Sequence, residues 1–211
     1  SRQSRGLGDV YKRQLYSEYA NTNFAGEPTI STGTYCGTLW ADECRINIAL
    51  NAGQIPFPMY QNVHSASLGL YVDSWESVQG ATSVSFTVHP IMNANWGQAS
   101  ATWNGTTAGG TWGAPGMQSG VDYGDAVSTT VVNVDTQGWI WFDVSTLGMT
   151  ISNQQAWTII ATPNTGYAHA SFYSGTATTN RPQVLFNTTN ITSVSISPGG
   201  TLTTDADTAV N

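Results

Sequence analysis

Between residues 29 and 186 the chain repeats one pattern, short runs in which apolar and polar residues alternate with a period of two. Residues 67–73 (SLGLYVD) set Leu68, Leu70 and Val72 on one side and Tyr71 and Asp73 on the other. Residues 83–89 (SVSFTVH) do the same with Val84, Phe86 and Val88, and residues 138–144 (GWIWFDV) with Ile140, Phe142 and Val144. Successive side chains of a strand point to opposite faces of its sheet, so this alternation marks strands with one buried face. Residues 29–35, 45–50, 127–134, 156–161, 168–173 and 183–186 continue the series, separated by clusters of Gly, Pro, Asn and Thr. No run holds a helical period, and only residues 145–155 leave room for a helical turn. Many short strands at this spacing predict an all-β chain, and specifically a jelly-roll-like antiparallel β-sandwich. The longest stretch without alternation, residues 94–120, is rich in Gly, Thr and Trp.

The composition agrees. Charged residues make up only 9% of the 211, yet there are 8 Trp, 9 Tyr and 6 Phe, enough to build a core. Charge is unevenly placed. Arg2, Arg5, Lys12, Arg13 and Asp9 lie in the first 14 residues, which leaves two basic and twelve acidic residues after them, a net of −10. Such a surface cannot neutralise phosphates, so nucleic acid is excluded as a partner, as is docking on an anionic membrane. No stretch approaches the roughly 20 apolar residues of a membrane span, so no membrane insertion is expected.

Both ends read differently from the middle. Residues 5–14 (RGLGDVYKRQ) resemble a translated sequencing adapter, so residues 1–14 are set aside as non-native. A genuine basic arm is the alternative. Residues 15–190 form the β-sandwich domain. Residues 191–211 read as a linker and the start of a truncated immunoglobulin-like domain, with Val194 and Ile196 alternating before Pro198, Gly199 and Gly200. The expected parent is a larger secreted or cell-surface protein, with flanking domains of the same chain as neighbours.

Cys36 and Cys44 are the only cysteines and flank a seven-residue loop, GTLWADE, between two expected strands. In an extracellular protein that spacing predicts a disulfide stapling a hairpin. Two free thiols are the next alternative, and a zinc site needs more ligands than the loop offers.

A set of short motifs resembles the DNRLRE family, a disaggregatase-related, carbohydrate-binding-module-like jelly-roll domain. In order, they are residues 21–26 (NTNFAG), 45–50 (RINIAL), 64–72 (HSASLGLYV), 96–104 (WGQASATWN), 112–116 (WGAPG), 120–123 (GVDY), 138–144 (GWIWFDV) and 170–186 (ASFYSGTATTNRPQVLF). The resemblance covers roughly residues 20–187. It departs from the family's pattern at Gln98, at Leu50 and at Gly175-Thr176-Ala177, and it lacks the family's first strand, a loss that would leave a sheet edge unpaired. The resemblance implies non-catalytic attachment to polysaccharide or cell-surface glycan outside the cell, with no cofactor required.

Sugars present flat C–H faces that stack on aromatic rings, while carboxylates and amides take their hydroxyls. In residues 138–144 the alternation puts Trp139, Trp141 and Asp143 on the face opposite the core, stepping about 7 Å along the strand. Tyr71 and Asp73 are expected on an outer face too. The alternative is that residues 94–120 cover these rings as a second small core. Trp40, at the tip of the Cys36–Cys44 loop, is a further candidate contact, or else packs on a neighbouring strand. Trp96 and Trp103 are expected in the core, while Trp75 and Trp112 remain open. Asp122 and Asp125 are candidate ligands for a structural Ca²⁺, or form an Asp-rich turn in which Asp122 bonds its own backbone. His64, His89 and His169 are scattered, and no carboxylate pair, phosphate loop or metal motif stands out, so no enzymatic activity is expected.

Overall fold

The computed structural model describes residues 2–6, 11–50, 61–93, 96–97, 100–107, 110–145, 155–196 and 202–206. Among these there is no helix. Twelve strands follow in chain order: β1 (Arg2–Gly6), β2 (Tyr11–Tyr16), β3 (Thr29–Thr34), β4 (Glu43–Leu50), β5 (Gln61–Val78), β6 (Ser83–Pro90), β7 (Ser128–Asn133), β8 (Gly138–Asp143), β9 (Gln155–Pro163), β10 (Tyr167–Tyr173), β11 (Gln183–Ile196) and β12 (Leu202–Ala206). The fold is all-β and sandwich-like. The residues given a helical turn by sequence fall mostly outside the described ones.

All strand pairs are antiparallel, in the order β1-β11-β5-β10-β3-β4-β9-β6-β7, with β8 on β5, β2 on β4 and β12 on β11. β5, 18 residues long, joins the parts. One of its edges pairs with β11 over residues 61–69 and then with β10 over residues 72–78, while the other takes β8 over residues 67–72. The sheet curls so that β8 returns beside β7, where the Ser128 hydroxyl donates to the Asp143 carbonyl at 2.6 Å. This curl brings the apolar faces together, which is what alternating strands must do to bury them.

The core lies inside the curl. Leu68, Leu70 and Val72 from β5, Val84, Phe86 and Val88 from β6, Ile140 and Phe142 from β8, and Val144 just after it are buried together, as their alternation predicts. Ile46, Ile48 and Leu50 of β4 join them, as do Trp157 and Ile159 of β9 and Phe172 of β10. Phe86 sits at an aromatic crossing, with ring centroids 5.6 Å from Phe142 and 6.0 Å from both Phe172 and Trp75. Trp75, left open by sequence, packs on this core and donates its indole N–H to the Thr136 carbonyl at 2.8 Å.

A second, smaller cluster lies on the outer face of β2, β4 and β9. Leu15 and Ala49 are covered there by Trp96, Ala101, Trp112 and Met117, with Trp103 packed alongside. Arg45 fastens the covering loop. Its guanidinium donates to the Gly116 and Met117 carbonyls, pairs with Glu43 at 3.3 Å and lies 5.4 Å from the centre of the Trp103 ring. The described residues of 94–120 therefore form the second small core that one reading of the sequence allowed, but over β2 and β4 and not over Trp139 and Trp141.

Of the residues set aside on sequence grounds, 2–6 form β1 and 11–14 lie in β2. β1 pairs with β11 from Arg2–Asn187 to Gly6–Gln183, and β2 pairs with β4 from Tyr11–Ala49 to Tyr16–Cys44. Gln14 and Leu15 are buried. At the other end, residues 191–196 continue β11 into a hairpin with β12.

β3 and β4 pair at Gly33–Cys44 and Thr34–Glu43, and Cys36 and Cys44 are joined by the expected disulfide with Cα atoms 5.8 Å apart. Because Phe86 touches aromatic rings from three other strands, Phe86→Ala should cost about 3–5 kcal/mol of stability. Urea denaturation of the variant beside the parent measures it.

Candidate functional site

The outer face of β8, β5 and β10 gathers the rings that the sequence singled out. In register, Trp139 stands opposite Tyr71, Trp141 opposite Gly69 and Asp143 opposite Ser67. The Trp139 and Trp141 rings have centroids 5.6 Å apart and planes 25° apart. Tyr71 meets Trp139 edge-on at 5.4 Å, and Tyr173 of β10 lies 6.0 Å beyond Tyr71. The result is an aromatic stripe running across three strands in steps of 5–6 Å. Trp141 keeps 36% of its surface exposed.

Gly69 makes this arrangement possible. A Cβ at that position would come within 2.6–2.9 Å of three atoms of the Trp141 six-membered ring. The ring therefore lies over bare backbone, a pairing in which an aromatic side chain covers the gap left by a strand glycine.

Carboxylates bracket the stripe. Asp73 is the extra residue of a β-bulge, since Val72 and Ser74 stand opposite the consecutive residues Phe172 and Ser171. A bulge interrupts the two-residue alternation and re-aims the side chain at its position. The Tyr173 hydroxyl is held above its ordinary pKa of 10, first by hydrogen bonding to Asp73 and then by that carboxylate's charge. At the far end, Asp143 is exposed and accepts the Ser145 amide at 2.9 Å.

Trp40 and its neighbour Leu39 are exposed at the tip of the disulfide loop, and Trp40 lies 6.0 Å from Tyr167 at the opposite end of β10. This places Trp40 apart from the other rings, both exposed and in contact with a neighbouring strand. Glu18 shapes the loop by accepting from the Thr38 amide and hydroxyl, and Asp42 does so by accepting from the Leu39 amide.

Asp122 and Asp125 are not neighbours in function. Asp122 is fully buried, and both its oxygens are engaged by N–H donors: the Gly113 and Gln118 amides at 2.8 and 2.7 Å, and the Asn93 side chain at 3.1 Å. It organises the loop from within, through the Gly113 and Gln118 amides and not through its own backbone, whereas Asp125 lies exposed. No group of three or more His, Cys, Asp or Glu side chains converges among the described residues.

His89 is held at both ring nitrogens, by the Gly124 carbonyl at 2.9 Å and the Thr87 hydroxyl at 3.0 Å. His64 lies outside the residues with described side chains. His169 is buried on β10, stands opposite Glu76 in register, and has an Nδ1 with no hydrogen-bond partner. Burial lowers its pKa below the ordinary 6.5, against opposing pulls from Glu76 and from backbone hydrogen bonds to Tyr35 and Thr34. No family model and no curated protein matches this chain.

The depressed pKa of His169 has a consequence for stability. As pH falls, the unfolded chain takes up this proton before the folded one does. The stability associated with the neutral ring is full above 6.5 and is lost as pH falls through the lower folded-state value. Melting temperature should decline between about pH 7 and 5 more steeply in the parent than in His169→Gln. Thermal melts across that range, read by circular dichroism, check the difference.

Proposed function

We propose that the chain carries a non-catalytic carbohydrate-binding module of a secreted or cell-surface protein. The observation that carries this reading is the ring stripe itself. Trp141 lies over Gly69 and continues through Trp139 and Tyr71 to Tyr173, with Asp73 and Asp143 at its ends. Rings laid on rigid strands offer flat apolar area with little conformational entropy left to lose, and carboxylates beside them accept from sugar hydroxyls. The ordered motifs that resemble the DNRLRE family point the same way. The Cys36–Cys44 disulfide fits an oxidising compartment.

A structural spacer in a surface stalk is the second reading. In its favour, most of the Trp141 ring is covered by the sheet beneath and by Trp139. The two readings part under one experiment, affinity electrophoresis of the protein in gels of neutral polysaccharides. A module is retarded by at least one of them, and Trp141→Ala weakens that binding at least about tenfold, or 1.4 kcal/mol. Gly69→Ala, which pushes the same ring out of place, weakens it as well. Passage through every gel without retardation, with Trp141→Ala lowering only the melting temperature, establishes the spacer.

A further inference from the structure

Beside the rings, on the same sheet face, runs a groove of about 360 Å³ lined by Ser65 and Ser67 of β5 and by Leu185, Phe186 and Asn187 of β11. Ser67 is the hinge between the two. It pairs with Asp143 on one side and with Leu185 on the other, two residues along β5 from the glycine under Trp141. Ser65, next on that face, pairs with Asn187. Rings and groove are therefore consecutive along β5, over roughly 25 Å from Asp73 to Ser65 at the rise of a strand.

We propose that the rings and the groove are two parts of one site for an extended, uncharged polysaccharide chain lying along β5. This rests on the module reading above and adds to it the class of ligand and the length of chain engaged. The ring part supplies stacking area. The groove part supplies hydroxyls from Ser65 and Ser67 and an amide from Asn187, groups that exchange hydrogen bonds with sugar hydroxyls without requiring charge. The lack of charge in the ligand follows from the surroundings. Asp73 and Asp143 bracket the rings, and neither cation with a described side chain serves them. Arg45 is bound to the Gly116 and Met117 carbonyls under the loop, and Arg181 donates to the Ala177 carbonyl. Among the described side chains, no cation offsets the two carboxylates that an anionic chain would meet there. β1 runs along the far edge of β11, with Arg2 opposite Asn187, so this exclusion operates at the ring end.

The test is isothermal titration of the full chain with β-linked glucan, xylan and mannan oligosaccharides from disaccharide to hexasaccharide, and with oligogalacturonates of the same lengths. At least one neutral series should gain about tenfold or more in affinity with length, and the oligogalacturonates should fail to bind. Ser65 is exposed, so Ser65→Tyr fills the groove without entering the core. It should abolish the gain with length, and a thermal melt run alongside reads the fold separately. Equal affinity at every length, a gain that survives Ser65→Tyr, or tighter binding of oligogalacturonate overturns the two-part site. Disaccharide binding that depends on Trp141 but gains nothing with length removes this inference and leaves the module standing. Silence from every oligosaccharide removes both.

Discussion

The constraint on which the structure depends is that β5 is longer than any single neighbour can pair. Its early residues hold β11 and its late residues hold β10 along one edge, while β8 occupies the other edge in the middle. Backbone donors and acceptors must be satisfied along its whole length, so the sheet has to change partners along it. The bulge at Asp73 lies just past the change, one residue into the pairing with β10. The same transition that lets the sheet curl around its core thus also sets Asp73 beside Tyr173, at the head of the aromatic stripe. Fold and candidate site share one irregularity.

A chain with so few charges must place each one carefully, and the loop over β4 shows how. One guanidinium and one carboxylate, Arg45 and Asp122, hold residues 113–118 of the loop between them. Arg45 collects carbonyls and Asp122 collects amides. Hydrogen bonds to ionised groups are about twice as strong as neutral ones, so two charges hold what a more charged protein would distribute over many contacts. Trp96 and Trp112 fill the space between the loop and the sheet.

The sequence made the strands legible because burial on one face leaves an unambiguous period. All nine expected runs are strands, and Ile140, Phe142 and Val144 point inward as their spacing requires. Trp139, Trp141 and Asp143 share a face for the same reason. What alternation along a strand cannot reveal is which residue lies beside which across strands, because that depends on register. Tyr173 and the groove residues of β11 were therefore not foreseen as parts of the site, and the loop was set against the wrong face in one reading. Gly69 did leave a signal. A glycine inside a strongly alternating strand marks a close approach, and the approach here is that of the Trp141 ring. Residues 2–6 and 11–14, set aside by composition, pair their backbones with β11 and β4, which composition could not have indicated.

β11 passes without a break from the sheet into the hairpin with β12. Its pairing with β5 runs from Gln183–Gly69 to Asn190–Gln61. The hydrogen bonds of an antiparallel ladder lie perpendicular to its strands. A tensile load drawn along the axis of β11 from residue 196 therefore reaches the ladder in shear, with its rungs loaded together instead of being unzipped one by one. Pulled in that direction, β11 would resist through these rungs at once, directly beside the groove.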